Sequence, residues 1–140
     1  MAMQPKPIPI QDTDSSPFWK GCRQGVLRIQ LCEGCGRHVF YPRSVCPHCM
    51  SESLVWINAK GVGTVYTYTV VHRGFGPFQD EVPFTMALVD LDEGVRMMTR
   101  IVDAGDGIHI GDRVEVVFCE RDDGVVLPYF RPVLIEANGR

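Results

Sequence analysis

The pattern of apolar positions in the second half of the chain predicts β-strands. Valine, tyrosine and threonine dominate the first of five such stretches, and several stretches are apolar on both faces. The five predicted strands cover residues 62–72, 84–91, 95–102, 113–120 and 125–134. Strands that are apolar on both faces suit a small closed barrel against which another element packs. The pattern therefore predicts a five-stranded OB-fold over residues 61–136.

Glycines and prolines refine this prediction. Gly61 and Gly63, at the start of the first strand, are expected to supply a turn, and Asp92-Glu93-Gly94 marks a hairpin. Pro128 and Pro132 lie within the last strand. Because proline cannot donate a hydrogen bond to a neighbouring strand, these two residues predict that the last strand lies at a sheet edge.

The N-terminal part has a different character. Residues 1–13 contain three prolines and no periodicity, which predicts an extended tail. Within residues 14–31, Asp14, Ser15 and Ser16 are candidate N-caps before Pro17, so a short helix is expected. Gly21 and Gly25 weaken that helix and end it, and an apolar run then continues in extended form to the first cysteines.

The predicted helix carries an adjacent aromatic pair, Phe18 and Trp19. Two interpretations are open. The pair packs on the protein's own core, or it anchors a contact with a partner protein, as aromatic residues often do at interfaces.

Residues 32–60 contain two Cys-x-x-Cys pairs, with ten residues between Cys35 and Cys46. Each pair forms a tight turn that directs two thiolates towards one tetrahedral ion, so this spacing predicts a zinc ribbon with one Zn²⁺ per chain. The predicted ligands are Cys32, Cys35, Cys46 and Cys49. Four thiolates leave no open position for water, so the zinc is expected to be structural. The alternatives to a zinc site are a redox dithiol and four unrelated buried cysteines. Gly36 fits the positive φ that such a turn requires, whereas Met50 at the matching position departs from the pattern.

The segment between the cysteine pairs is basic and aromatic. It contains Arg37, His38, Phe40, Tyr41, Pro42 and Arg43. This fingertip is either a solvated turn or a contact for an anionic ligand such as a phosphate-bearing cofactor. His38 and His48 are interpreted as surface residues or as neighbours of the metal ligands, because four cysteines already complete the shell.

Composition and charge narrow the functional classes. The chain has 140 residues, 45% of them hydrophobic and 22% charged, which is typical of one soluble domain or two small ones. It shows no apolar run long enough to span a membrane and no signal-peptide core, so a cytoplasmic protein without a membrane partner is expected. Residues 61–140 contain thirteen acidic and seven basic residues, which disfavours binding of nucleic acid by the barrel.

Catalytic signatures are not evident. No nucleophile elbow and no glycine-rich phosphate loop is found, and Cys22 and Cys119 remain as the thiols outside the zinc site. Cys119 is interpreted as a barrel thiol that is buried. The loop of residues 72–78 presents Phe75 and Phe78 among glycines, either as a hydrophobic gate or as a plug over the barrel.

The order of these features resembles that of the DUF35 family. The shared phrases run from Phe18-Trp19 and the cysteine quartet, through Gly61-x-Gly63 and Leu88–Val95, to Phe130-Arg131-Pro132. The resemblance implies a mainly β architecture, with a short N-terminal helix, a rubredoxin-like zinc ribbon and a C-terminal OB-fold. It also implies a small non-catalytic subunit that accompanies thiolase-type enzymes of acyl-CoA metabolism, sometimes with partners similar to enoyl-CoA hydratase.

From these observations we expect an accessory subunit of a β-ketothiolase or acyltransferase, in a hetero-oligomer with a thiolase-fold catalytic subunit. CoA or acyl-CoA is then the ligand of the complex. The candidate CoA contacts are Arg37, Arg43, Phe75 and Phe78. The candidate partner contacts are Phe18, Trp19 and Tyr41. The competing hypotheses are a nucleic-acid-binding module and an independent thioester enzyme that uses Cys22 or Cys119.

Overall fold

The chain folds into a short helix, a three-stranded sheet and a five-stranded barrel. The computed structural model describes residues 12–74, 76–104 and 107–133, so most of the predicted tail and Phe75 lie outside the described residues. The helix is α1 (Ser16–Arg23) and a 3₁₀ helix spans Gly76–Glu81. The strands are β1 (Arg28–Cys32), β2 (His38–Val39), β3 (Leu54–Asn58), β4 (Val62–Val71), β5 (Phe84–Leu91), β6 (Arg96–Ile101), β7 (Arg113–Glu120) and β8 (Val126–Pro132).

The start of α1 is capped from further upstream than the sequence indicates. Ser15 occupies the N-cap position and its side chain makes no cap hydrogen bond. Instead the Asp12 carboxylate accepts hydrogen bonds of 2.8 Å from the backbone N–H and from the hydroxyl of Ser15. These bonds lower the pKa of Asp12. The helix ends as predicted, because Gly25 adopts a φ of +78° and lets Val26 donate its N–H to the Gly21 carbonyl.

The ribbon is built on an antiparallel sheet with the order β2-β1-β3. Gln30 in the central strand lies opposite Val39 of β2 and Trp56 of β3. The inner end of β1 and helix α1 do not form a separate core. Phe18, Leu27 and Ile29 belong to the same buried cluster as the barrel residues Val89 and Phe130.

The five strands predicted in the second half are confirmed, and they close into a barrel with the order β4-β5-β6-β8-β7. Side chains from each strand fill the interior, among them Val65, Val89, Met97, Val114 and Phe130. The predicted fold class, mainly β with a short helix, a four-cysteine ribbon and an OB-fold barrel, is therefore correct. No helix within the described ranges is long and apolar enough to cross a membrane.

The predicted edge position of the last strand is wrong. Strand β8 lies between β6 and β7, and it pairs with β7 along its whole length. The prolines are tolerated for a different reason. The bond from Val133 N–H to the Arg113 carbonyl indicates that odd-numbered residues of β8 face β7. Pro128 and Pro132 therefore face β6, where Ile101 and Phe130 form the one aligned pair between the two strands.

Gly63 does not supply a turn but lies within β4. A Cβ atom at this position would lie 2.5 Å from the Asp90 carbonyl oxygen of the neighbouring strand. Gly61, in contrast, adopts a φ of +78° ahead of the strand, as a turn requires. The second glycine of the Gly-x-Gly phrase thus permits close approach of two backbones.

Candidate functional site

The two cysteine pairs converge on one point at the outer end of the ribbon. The Sγ atoms of Cys32, Cys35, Cys46 and Cys49 all lie within 4.8 Å of one another. The Cys32 and Cys49 sulfurs are 3.5 Å apart, and those of Cys35 and Cys46 are 3.8 Å apart. Four ligands at a Zn–S distance of about 2.3 Å stand about 3.8 Å from one another in a tetrahedron. The four thiolates therefore fit a zinc ion, which would cross-link the two turns.

Local hydrogen bonds build the two turns in the same way. Gly36 donates its N–H to the Cys32 carbonyl at 2.8 Å, and Met50 donates its N–H to the Cys46 carbonyl at 2.9 Å. The backbone N–H of His48 also points at the Cys46 sulfur, at 3.3 Å. Backbone donors directed at thiolate sulfurs stabilise their negative charge. The site is thus a closed, structural centre of the kind that holds small ribbons together.

The backbone of Met50 is strained, because the second cysteine turn has the same geometry as the first. Gly36 has a φ of +79°, and Met50 adopts the corresponding φ of +66° although it carries a side chain. Side chains with a Cβ atom are disfavoured in this left-handed region by about 1–2 kcal/mol. Met50 therefore differs from Gly36 in residue type alone, since the backbone of both residues has the same left-handed conformation.

Met50→Gly is accordingly expected to stabilise the zinc-loaded ribbon. Relief of the left-handed strain outweighs the greater backbone entropy of glycine in the unfolded chain, so we expect a gain of about 0.5–1 kcal/mol. Urea denaturation of the zinc-loaded protein, followed by a signal from the ribbon, measures this change. Ser51→Gly in the same turn is the control, and an equal gain from both variants would contradict the explanation.

A polar cavity of about 410 Å³ lies beside the zinc site, and Arg37 lines it. The Arg37 Nη1 atom is 3.2 Å from Nδ1 of His48, and both side chains are exposed. His38 and Glu93 complete the cavity wall, with Glu93 contributed by the β5–β6 turn of the barrel. The metal-binding group among the described residues consists of the four cysteines and includes neither histidine.

An open cleft separates the ribbon and helix from the barrel, and we call it the aromatic cleft. Its volume is about 380 Å³, and its walls include Trp19, Tyr41, Pro42, Met86, Met98 and Tyr129. A chain of ring contacts builds one wall: Phe18 meets Trp19 at 4.9 Å and Phe40 at 5.6 Å between ring centroids, and Phe40 stacks on Tyr41 at 4.8 Å.

The three candidate partner contacts all line this cleft, but to different extents. Phe18 is only 5% exposed and belongs to the core, Trp19 is half-buried, and Tyr41 is 60% exposed. Met98 projects from the opposite wall with a similarly exposed side chain. Exposed large apolar side chains on two facing walls mark a surface suited to binding.

Gln30 holds the fingertip wall of the cleft in place, and the sequence interpretation missed it. This residue is buried, with 4% of its surface exposed. Its Nε2 donates to the Arg43 carbonyl at 2.7 Å, and its Oε1 accepts from the Arg43 N–H at 2.8 Å. The amide thus satisfies both backbone groups of a fingertip residue. The available signal was weak, because Gln30 is one of two polar residues, with Arg28, inside the run 26–31.

The three candidate CoA contacts that the structure describes, Arg37, Arg43 and Phe78, line no common cavity. Arg37 lines the polar cavity, Arg43 is exposed and contacts Gln30 through its backbone, and Phe75 lies outside the described residues. Phe78 lines a further cavity of about 330 Å³. That cavity shares Arg100, Leu127 and Tyr129 with the aromatic cleft, so the two are adjacent on the barrel surface.

Arg100 stands at this junction and was not singled out from the sequence. Its guanidinium lies 4.0 Å from the Phe84 ring centroid and 5.4 Å from that of Tyr129. Its Nη1 donates to Glu81 at 2.7 Å. The aromatic faces and the carboxylate hold the cation in a fixed position between the two cavities.

The two thiols outside the zinc site are poorly suited to nucleophilic chemistry. Burial raises the pKa of Cys22 to about 12. Burial also raises the pKa of Cys119, and the nearby Asp103 charge adds to this effect. Both shifts favour the neutral thiol, whereas the thiolate is the reactive form.

Comparison with known proteins agrees with this architecture. Residues 19–55 match the family described as ChsH2, rubredoxin-like zinc ribbon domain, and residues 56–119 match the ChsH2, C-terminal OB-fold domain. A DUF35 domain-containing scaffold protein of Methanocaldococcus jannaschii is 38% identical over 115 residues, which cover 77% of this chain and 82% of that protein.

Two further similar proteins are named as an enoyl-CoA hydratase subunit and as part of an aldolase. A probable enoyl-CoA hydratase alpha subunit of Thermomonospora curvata is 37% identical over 130 residues, 92% of this chain but only 40% of that longer protein. The solved structure titled Ltp2-ChsH2(DUF35) aldolase contains a chain with 37% identity and a TM-score of 0.81; the match covers 91% of this chain and 100% of that one. This chain belongs to the DUF35 family of zinc-ribbon and OB-fold proteins, as shown by the two matching domain families, by the similarity over 82% of a scaffold protein and by the shared fold.

Proposed function

We propose that this protein is a non-catalytic accessory subunit of a thiolase-type acyl-CoA enzyme, either a β-ketothiolase or an acyltransferase. It supports assembly of the complex and the binding or channelling of the CoA thioester. The observation that carries the proposal is the aromatic cleft, whose exposed anchors face solvent on both walls. The names of the relatives, an enoyl-CoA hydratase subunit, a scaffold protein and an aldolase complex, support the same role.

The chemistry of the chain favours an accessory role. The zinc site is closed by four thiolates, so it offers no position for a substrate or an activated water. The pKa values of Cys22 and Cys119 are raised, which disfavours the independent thioester enzyme. On this proposal the reactive groups belong to the catalytic subunit.

The aromatic cleft is the proposed docking surface for that subunit. Trp19 and Tyr41 are anchors of the type that dominates binding energy at interfaces, where a few aromatic residues contribute most. Met98 adds exposed apolar surface of a kind that is enriched at interfaces. Phe18 supports them from the core. Because the ribbon contributes one wall and the barrel the other, a partner seated here contacts both parts of the fold.

The CoA thioester is proposed to lie along the same side of the barrel. The cavity that Phe78 lines adjoins the cleft through Arg100 and Tyr129, so an extended apolar chain in the cleft would reach it. Arg37 and Arg43 remain the proposed phosphate contacts on the ribbon side.

The electrostatics of the barrel count against the nucleic-acid alternative. Arg96, Arg113, Arg121 and Arg131 each pair with a carboxylate. Phosphate-backbone binding requires clusters of arginine and lysine that are not already neutralised by neighbouring acids. The excess of acidic residues in this half of the sequence agrees with that conclusion.

Recovery of the tagged protein from its own host, with mass spectrometry of whatever co-elutes, tests the proposal. We expect a thiolase-like chain in fixed ratio, and we expect Tyr41→Ser to reduce its recovery at least tenfold because a central anchor is lost. Ile110→Ser is the matched control, since Ile110 is 67% exposed, similar to Tyr41, but lies outside the cleft.

Three results would contradict the proposal: recovery of the protein alone, recovery with RNA, and equal loss of the partner in both variants. The CoA part is tested separately on the recovered complex. There Arg43→Ala is expected to weaken CoA binding, and unchanged affinity would remove the fingertip from the CoA site.

A further inference from the structure

Strand β4 is paired with β7 on one side over only the first part of its length. Its pairing with β7 covers Val62, Gly63 and Thr64 and stops there. Its pairing with β5 continues to Val71, after an irregularity at Tyr66. Within the described parts of the chain, the segment 67–71 therefore pairs with one strand on one side and with none on the other.

The register shows which backbone groups face the open side. Asp92 N–H donates to the Val62 carbonyl, so the even-numbered residues of β5 direct their polar groups towards β4. Beyond the irregularity, Thr67, Thr69 and Val71 lie opposite these even-numbered residues. The N–H and C=O groups of Tyr68 and Val70 consequently point away from β5, towards the open side.

The residues of this edge make it suited to pairing. The segment 66–71 reads Tyr-Thr-Tyr-Thr-Val-Val, with no charged residue and no proline. Tyr66, Tyr68 and Val70 are exposed. Soluble proteins usually protect such edges with charges, prolines or bulges, because an unprotected edge pairs with another strand. Here the one bulge precedes the open segment and leaves it unprotected.

We propose that this edge pairs with the same segment of a second copy of the chain, antiparallel and centred on Tyr68. The two Tyr68 residues then lie opposite each other, Tyr66 lies opposite Val70, and Thr67 lies opposite Thr69. Aromatic pairs, aromatic with β-branched pairs and threonine pairs are all stabilising across strands. The segment itself is uncharged, and the one cation stacked on it, Arg96 over the Tyr66 ring at 3.5 Å, is paired with Asp90.

This register also satisfies the backbone. Tyr68 and Val70 both direct their polar groups outwards, and a two-fold axis at Tyr68 lets the two Tyr68 residues exchange both hydrogen bonds. The paired strands join two barrels through one continuous sheet. Residues 66–71 do not line the aromatic cleft, but Met86 and Met98 line both that cleft and the small cavity beside Tyr68.

Sedimentation velocity of the full-length, zinc-loaded chain over a wide concentration range tests the proposal. We expect a monomer–dimer equilibrium for the unaltered protein. Val70→Pro removes an outward N–H that β5 does not use, so it should weaken dimerisation about 10-fold to 100-fold through the two symmetry-related bonds lost. Val70→Thr is the matched control, because it keeps the N–H and the β-branched shape, and its dimer should remain within a few-fold of the unaltered one.

Charged variants at position 68 test the register itself without a proline in the strand. Tyr68→Lys and Tyr68→Glu each place two like charges opposite each other, so each variant alone should be monomeric. Mixing the two should restore a dimer, which would support the pairing centred on Tyr68.

A protein that stays monomeric at every concentration would overturn the proposal, as would a dimer that Val70→Pro leaves unchanged. Failure of the mixed charge variants to associate would overturn the register. Hydrogen exchange distinguishes a second copy of the chain from the catalytic subunit as the occupant of the edge. If the Tyr68 and Val70 amides become protected only when the catalytic subunit is added, the edge binds that subunit and not a second copy.

Discussion

Replacement of Cys35 by serine is expected to unfold the outer ribbon while the barrel stays folded. Among the described residues, the buried cluster around the zinc site consists of Cys32, Val39 and Cys46, with Leu54 packed against it. So small a cluster cannot hold the two turns together without the metal. Structural zinc contributes on the order of 10–16 kcal/mol of apparent binding energy to ribbons and fingers of this size, and loss of one ligand removes most of it.

The unfolding should stop at a definite place. Phe18, Leu27 and Ile29 pack with the barrel residues, so α1 and the inner end of β1 have support that does not depend on zinc. The two cysteine turns have no such support, whereas the fingertip between them is tied to the core through Phe40 and the Gln30 amide. Loss of zinc should therefore loosen the Tyr41 wall of the aromatic cleft and weaken binding of the proposed partner.

Zinc content and hydrogen exchange measure this outcome. We expect one Zn²⁺ per unaltered chain, almost none in Cys35→Ser, and fast exchange of amides in residues 32–54 with the barrel amides still protected. Cys119→Ser is the matched control, because Cys119 is only partly buried in β7 and lies outside the zinc site. Protection of residues 32–54 that survives both chelation and Cys35→Ser would show that the ribbon does not depend on metal.

The parts of this fold that could be predicted from the sequence are those specified by local signals. The cysteine spacing requires only that each turn be tight, and the structure brings the four sulfurs together as that spacing predicts. The five barrel strands follow from apolar periodicity and turn residues, so their ranges agree closely with the observed strands.

The parts that could not be predicted depend on which elements meet in space. Pro128 and Pro132 predicted an edge strand, but strand order places β8 between β6 and β7, with both prolines facing β6. The aromatic cleft likewise requires Tyr41 and Met98 to face each other across two parts of the fold. Phe18 and Trp19 are adjacent in sequence, and only the packing of α1 buries the first and leaves the second at the cleft.

Gln30 shows how much a single long-range contact adds, and Gln30→Leu is expected to destabilise the protein by about 2–4 kcal/mol. The leucine fills a similar volume but leaves the N–H and C=O of Arg43 without their side-chain partners. Because both hydrogen bonds are part-buried, each loss should cost towards the lower end of about 1–3 kcal/mol. The two hydrogen bonds join residues thirteen positions apart, from β1 to the fingertip. Their loss should therefore loosen the fingertip more than the barrel.

Gln24→Leu provides the matched control. Gln24 is exposed and its side chain makes one hydrogen bond, from Arg28, so the same substitution there should change the free energy of unfolding by less than about 0.5 kcal/mol. Urea denaturation of the zinc-loaded variants gives the stabilities, and recovery of the catalytic subunit gives the functional effect. If Gln30 positions the cleft wall, Gln30→Leu should weaken partner recovery under conditions in which the protein is still folded. Full recovery of the partner with a destabilised but folded Gln30→Leu protein would contradict this role. It would show that the partner binds the barrel wall alone and that movement of the fingertip does not affect binding.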